Sequence, residues 1–374
     1  MSDKLDLNLN SLDESTIEAL KQMIDNKVSL DKDLLNSIIN SDKKNRAIQS
    51  ILKESKSKYN KLIEMYDKLQ EEYDTFIAVK ELQKEIKIPI LEIEPPSKNK
   101  SEAVPVIQFS DWHVGEKVEL SSVGNLNEYN DKIAKLRVKK LVRNTVALLK
   151  KEDRFSHINN VVIHLGGDFI NGWLHEEDIE SSYMTPIEEI YFALELLIYT
   201  VEHLLHYTKY NYSFVCNVGN HGRTTKRYRY GNEVQTSYET MLYSSLADHF
   251  KNEKRVKVNL PTSGIAYADI LGHKYRFIHG HQVKYQGGVG GITIPLNKYT
   301  MRLDQTSVNA AVHTFLGHFH QWSFPSTVTT MNGSLVGFNP YALVHGFKYE
   351  PPIQSFQIVH SKYGLTSKHG IHCE

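Results

Sequence analysis

Five short apolar runs each end in residues that can hold a cation. VPVIQFS leads into Asp111-Trp112-His113, VVIHLGG into Asp168, FVCNVG into Asn220-His221, KYRFI into His279-Gly280-His281, and HTFLG into His318-Phe319-His320. Carboxylate, carboxamide and imidazole without thiolate suit Mn, Fe, Zn, Ni or Co better than an oxygen-only Ca site. In open α/β sheets the ligand crevice lies at the carboxyl ends of the strands, so tips distant in sequence can meet there. Strand alternation would send Asp111 and His113 to one side, and likewise His318 and His320, so each pair can grip one ion or two neighbours. Gly166-Gly167, Gly219 and Gly317 precede donors and permit close backbone approach. One bridging carboxylate with about three further ligands per ion describes a two-metal centre with ions ~3.5–4 Å apart. Such a centre activates a bound water and clamps the oxygens of an in-line phosphoryl displacement, so phosphate-ester hydrolysis is its natural reaction. Any one of the 18 histidines is more often an ordinary surface or core residue; five donor-bearing strand ends in order are not independent accidents. His164 and His313, inside apolar runs, read as core, and His369 and His372, near the end of the chain, as solvent-facing.

The runs that carry these donors alternate with amphipathic segments near 128–150, 186–206 and 232–250, the βαβ rhythm of a layered α/β domain. Thr185-Pro186-Ile187-Glu188 forms a capping box with proline at the first helical position. Beyond residue 255 the runs shorten (KVNLP, GIAYADI, KYRFIHG, HTFLGHFH, LVGFNP, SFQIVH), predicting a mixed sheet that faces the earlier parallel one. The first 100 residues differ in kind: they hold no glycine or histidine, 36 charges, and no proline before Pro89. Helices are predicted over 14–27 and 31–50, followed by a stripe of Leu52, Tyr59, Leu62, Tyr66, Leu69, Tyr73 and Phe76 at mostly three- and four-residue steps. A helical hairpin or short coiled coil follows, and with it a homo-oligomer built through these helices. The cations of SDKKNRAIQSILKESKSK would alternatively serve a small DNA-touching helix-turn-helix. IPILEIEPPSKNKSE, with three prolines, reads as an extended linker, giving a helical oligomerisation or accessory module over 1–88, a linker over 89–103 and a catalytic domain over 104–374.

Composition narrows the class. The chain has 374 residues and equal numbers of basic and acidic side chains, 44 each, so any polyanion must meet a local patch. Two cysteines are too few for a disulfide scaffold or a thiolate metal site. With no signal-like N-terminus and no apolar run of membrane-spanning length, the expectation is a cytoplasmic protein of a bacterial or phage-infected cell, without a membrane partner.

The order D-x-H, G-D, G-N-H, H-G-H, G-H-x-H resembles the calcineurin-like metallophosphoesterase superfamily, from about Val104 to Phe324, and within it the DNA-repair-exonuclease and phage-type branch. The resemblance implies a four-layer αββα sandwich carrying the N-terminal helical extension, and two divalent ions, Mn foremost. It implies that Asp111, His113, Asp168 and His320 hold one ion, and Asp168, Asn220, His279 and His318 the other, with Asp168 bridging. It further implies that His221 contacts the scissile phosphate and protonates the leaving group. Where the family usually places a carboxylate after that histidine, this chain has Gly222 and then Arg223, so Arg223 is expected to bind phosphate directly.

The stretch 222–230 sets Arg223, Lys226, Arg227 and Arg229 among Tyr228 and Tyr230. Cations interleaved with aromatic rings suit a nucleic-acid strand. His281 is assigned to the substrate side, and GVGG at 288–291 to a mobile active-site loop. The leading expectation is a Mn-dependent nuclease or phosphodiesterase acting on DNA, single-stranded or at a duplex end. A phosphodiesterase or phosphatase for a nucleotide or other small ester is the second, and a non-catalytic scaffold of the same fold the third.

Overall fold

The computed structural model describes residues 18, 32–85, 90–93, 103–285, 291–306, 308 and 310–374. The chain divides into two units, Met1–Ile88 and Pro89–Glu374. In the first unit, helix α1 runs unbroken over Lys32–Glu85. No glycine or proline lies within it, so no turn separates 31–50 from the apolar stripe; a hairpin within these residues is thereby corrected to one long helix. The helix predicted over 14–27 lies outside the described residues except for residue 18, and Phe76 is described in its backbone alone.

The second unit opens with strand β1 (Ile90–Ile93), which pairs in parallel with β6 (Ile265–Ile270). The segment expected as linker therefore includes a sheet edge. The first sheet takes β2 (Ala103–Phe109), β3 (Asn160–Leu165), β4 (Asn211–Cys216) and β5 (Val256–Asn259) in parallel, joined by α2 (Asp131–Glu152), α4 (Pro186–Tyr207) and α5 (Tyr238–His249), with short α3 (Glu176–Ser181) before α4. It is not purely parallel: β11 (Ile353–His360) returns antiparallel to β2, and β12 (Gly364–His372) antiparallel to β11. The second sheet runs β1-β6-β7-β8-β10-β9, with β7 (His273–Ile278), β8 (His313–Leu316), β9 (Ser323–Ser326) and β10 (Thr329–Met331). Helices α6 (Thr293–Leu303) and α7 (Pro340–Val344) complete the described elements.

The period of two along each strand sorts the core into three layers. Ile107, Phe109, Ile163 and Phe214 face Val138, Leu141, Leu197, Val201 and Leu246 of the helices. The opposite faces, Val104, Val106, Val162, Val215 and Val359, meet Ala268, Tyr275, Phe277 and Phe315 of the second sheet. That sheet's outer side holds Ile278, Leu316 and Met331 against Leu296 of α6. The order is helix, sheet, sheet, helix, with apolar residues on both faces of each sheet.

LVGFNP, predicted as a strand, is an irregular buried loop. Buried Arg137 takes the Leu335 and Val336 carbonyls at 2.9 and 2.7 Å, while the Leu335 N–H donates to the Asp111 carbonyl at 2.9 Å. These groups are committed to α2 and to the site, and no ladder is left for them. His164 and His313 are buried, the first bonded to Asn217 and the second to Thr330. His369 and His372 belong to edge strand β12 rather than to a free tail; the His369 ring lies on Phe356.

The capping box at α4 is formed: the Glu188 side chain accepts the Thr185 N–H at 2.7 Å, and Thr185 Oγ1 accepts the Glu188 N–H at 3.4 Å. Thr185→Ala is expected to lower stability by about 1 kcal/mol, read as a drop in thermal midpoint; an unchanged midpoint would show that tertiary packing alone fixes this helix start.

Candidate metal centre

β2 stops at Phe109, and the chain beyond it is laced to the turn after β3. Gly166 N–H donates to the Phe109 carbonyl at 2.8 Å, Asp111 N–H to Gly167 at 3.0 Å, His113 N–H to Asp168 at 3.1 Å and Val114 N–H to Phe169 at 2.9 Å. Asp111, His113, Asp168, His318 and His320 all adopt positive φ, between 46 and 70°. A non-glycine residue in this region costs roughly 1–2 kcal/mol, so the surrounding hydrogen bonds must hold it there. Asp111 and His113 thus meet through left-handed turns and not through strand alternation, while His318 and His320, also left-handed, enter separate donor groups. Gly167, at φ +89°, lies so near the turn after β4 that a Cβ would sit 2.4 Å from the Gly219 nitrogen.

The turns bring the donors together. His113 Nε2 lies 3.1 Å from His320 Nε2, which lies 3.5 Å from Asp111 Oδ1. His279 Nε2 lies 2.9 Å from Asp168 Oδ2. Donor atoms of Asp111, His113 and His320 fall within 4.8 Å of one another, as do those of Asp168, His279 and His318, and a third group of His113, Asp168 and His221 joins the two. Asn220 Oδ1 is buried without a hydrogen-bond partner. Inward-facing imidazole nitrogens at contact distance, buried carboxylates and an orphaned carboxamide oxygen fit cations bound by nitrogen and oxygen. Six of the seven expected ligands fall in these three groups, and Asn220 adjoins His221, whose N–H donates to Asp168 Oδ1 at 2.8 Å.

The charges fit as well. Burial holds His113 and His318 well below the ordinary imidazole range and brings His320 down to about 4, leaving neutral rings, the form that ligates. Burial pushes the Asp111 carboxyl up; it would also raise Asp168, but the adjoining His279 and His221 hold that carboxyl well below its usual range. Burial alone would lower His279, yet Asp168 outweighs it and lifts the ring to about 9. Its Nδ1 is tied to the Gly166 carbonyl at 2.7 Å, which turns Nε2 inward.

Several supporting residues carry no signature in the sequence. Glu239, at the start of α5, accepts the Phe169 and Gly219 N–H groups at 2.7 and 2.6 Å, so one buried carboxylate spans both ligand turns. Ser110 Oγ donates to Asp111 and receives Asn332 Nδ2 at 2.8 Å. His221 Nδ1 lies 2.7 Å from the Asn171 carbonyl and 4.0 Å from Asp178 Oδ2 of α3. Burial opposes its protonation, but Asp168 and then Asp178 raise it above the ordinary imidazole value. A carboxylate therefore faces His221 from α3 and not from position 222, and Gly222 has a steric reason: a Cβ there would lie 2.8 Å from Glu239 Cγ.

On the basic loop, Arg223 is half-buried, its guanidinium bonded to the Thr225 carbonyl at 3.1 Å and the Asn220 carbonyl at 3.4 Å. Lys226, Arg227 and Arg229 lie along the same loop, all three exposed. The His281 side chain is buried beneath them; its Nε2 bonds the Tyr228 hydroxyl and lies 3.4 Å from Glu233. It holds the basic loop rather than facing open solvent. Of the loop predicted over 288–291, residues 288–290 lie outside the described residues.

No family model matches the chain. The SPbeta prophage-derived uncharacterized protein YonJ of Bacillus subtilis (strain 168) is 25% identical over 197 residues, 51% of this chain and 45% of that relative, so the chain spans less than half of the relative's length. Among solved structures, Vps29 of Entamoeba histolytica complexed with Zn+2 is 13% identical, covering 72% of this chain and 99% of its own at a TM-score of 0.29. Vps29 of Cryptosporidium parvum is also 13% identical, covering 72% and 98% at 0.30. At scores of this size the fold rests on the strand order and layering described above.

The His279–Asp168 pair sets a pH expectation for cation-free protein. With His279 raised from 6.5 to about 9, the pair's stabilisation is complete below 6.5 and lost as pH rises through 9. A cation taking Nε2 must displace that proton, so Mn2+ affinity measured by calorimetry is expected to rise across the same interval with proton release. A flat affinity profile would contradict the placement of His279, and Asp168→Asn is expected to abolish tight binding at both positions.

Proposed function

We propose that the second unit is a dinuclear-metal-dependent phosphodiesterase whose substrate is a nucleic-acid strand, DNA foremost, in the manner of the metallophosphoesterases its ligand order resembles. What supports the reading is the gathering of the Asp111, His113, Asp168, His279, His318 and His320 donors, with the buried, unpartnered Asn220 oxygen, in a unit whose basic, tyrosine-bearing loop follows directly on Asn220-His221 and is held by a His281–Tyr228 bond. Asp111, His113, Asp168 and His320 would hold one ion, and Asp168, Asn220, His279 and His318 the other. Bound there, a pair of divalent ions supplies an activated water and a charge clamp on the phosphoryl oxygens. Mn is the ion the resemblance favours, and Fe, Zn, Ni and Co also suit these donors.

The chain's own residues do the rest. His221, with Nδ1 turned to the Asn171 carbonyl, presents Nε2 and gives its proton to the departing oxygen. Asp168 and then Asp178 strengthen that ring's hold on its proton, with no side chain needed at position 222. Arg223, braced by two carbonyls of its own loop, meets a non-bridging phosphate oxygen. Lys226, Arg227 and Arg229 track the backbone phosphates further along, and the Tyr228 and Tyr230 rings, 4.6 Å apart, offer a face to a base. His281 acts on substrate through Tyr228. Among the described residues no helix is long and apolar enough to cross a membrane. With a prophage-derived relative, this accords with a cytoplasmic role in a bacterial or phage-infected cell.

Purified protein with Mn2+ is expected to degrade linear DNA. Turnover of a small phosphodiester without DNA cleavage would shift the reading to a small-ester phosphodiesterase, and cation binding without any turnover to a scaffold. His221→Asn is expected to lower kcat by roughly 10²- to 10⁴-fold. Arg223→Ala is expected to raise KM while metal content holds; loss of metal would contradict its role. Replacing Lys226, Arg227 and Arg229 together should flatten the salt dependence of DNA binding by about 0.7–0.9 in log–log slope for each phosphate no longer neutralised.

A further inference from the structure

Helix α1 carries Ile48, Leu52, Tyr59, Leu62, Tyr66, Leu69 and Tyr73 at steps of four, seven, three, four, three and four, and every one is 54 to 65% exposed. Ser55 falls at the missing step within the seven, so the spacing is a strict 3.5-residue repeat over about four heptads. A straight helix of 3.6 residues per turn cannot keep that stripe on one side unless it supercoils around a partner. Charged residues Lys53, Glu54, Lys61, Glu64, Asp67, Lys68, Glu71 and Asp74 occupy positions off the stripe, while Ile51, Ile63 and Met65 widen it.

Charge chooses the partner and its direction. Residues 32–63 hold eight basic and three acidic side chains, and residues 64–85 hold three basic and seven acidic. Side by side in the same direction, two copies would set like halves together; in opposite directions the basic half of each lies along the acidic half of the other. Packing agrees. In a parallel pair Tyr59, Tyr66 and Tyr73 would each face themselves, stacking like rings in three layers. In an antiparallel pair centred near residue 64, Tyr59 meets Leu69 and Tyr66 meets Leu62, and Ile63 of each copy meets Met65 of the other at the midpoint.

We infer that α1 is a dimerisation element that pairs with α1 of a second copy of this chain as an antiparallel coiled coil. At ~1.5 Å per residue, Glu85 of the two copies then lies about 63 Å apart along the coil. The chain therefore leaves the coil toward its second unit at opposite ends in the two copies. This inference does not depend on the catalytic reading.

Both native cysteines are buried, so a single spin label can be placed on full-length protein at exposed Ser50 as Ser50→Cys. The expected result is a dimer by sedimentation equilibrium, with a single label separation near ~42 Å, from a rise of ~1.5 Å per residue. A separation under about 25 Å, as neighbouring helices in parallel would give, overturns the antiparallel assignment, and a monomer overturns the pairing. Leu62→Glu with Tyr66→Glu is expected to weaken the dimer at least ~100-fold, since both stripe positions then bury charge, while Mn2+ binding by the second unit, which reports that the protein is folded, is retained. A dimer that persists in this variant places the interface elsewhere and refutes the proposal.

Discussion

The buried charge of Asp168 is the constraint around which the second unit is built. Its carboxylate is 1% exposed and cannot be left uncompensated in such surroundings. Oδ1 accepts the His221 N–H at 2.8 Å, Oδ2 faces His279 Nε2, and the Asp168 carbonyl receives the His113 N–H. One residue therefore draws in the ends of β2, β4 and β7 as well as its own β3. The close approach of Gly167 to Gly219 lets the β3 and β4 turns come near enough, and Glu239 ties both from below. The parallel strands deliver their tips to one edge; this carboxylate fixes how they meet.

The donors were legible in the sequence because their residue types are rare at strand ends and recur in order. What holds them was not. The left-handed turns at Asp111, His113 and His318 have no compositional mark, since aspartate and histidine in such a conformation look the same on paper as in a strand. Asp178 sits ten residues beyond Asp168, in a helix of six residues, and reaches His221 only through the path of the folded chain. The helix–sheet rhythm was readable over β2 to β5 because apolar runs alternate with amphipathic segments there. It failed at LVGFNP, where the apolar character serves a buried loop pinned by Arg137, and at β12, whose polar edge residues carry little apolar pattern. In α1 the absence of glycine and proline was visible, and one continuous helix is its direct consequence.

The basic loop is organised differently from the donor cluster. The cations of 223–229 lie on a loop rather than on a strand tip, and what anchors them is local. His281, with Glu233 3.4 Å from its Nε2, bonds the loop through Tyr228, while Lys226, Arg227 and Arg229 remain exposed. A chain with no net charge can in this way present a positive strip at one opening while the remainder of its surface stays balanced.

The left-handed backbone at five of the donor residues has a corollary for the cluster. Such a conformation persists only while its turn stays closed, so opening a turn would both relieve the backbone and scatter the donors it presents. The hydrogen bonds that lace the turns after β2 and β3 therefore set the shape of the cluster in advance of any occupant.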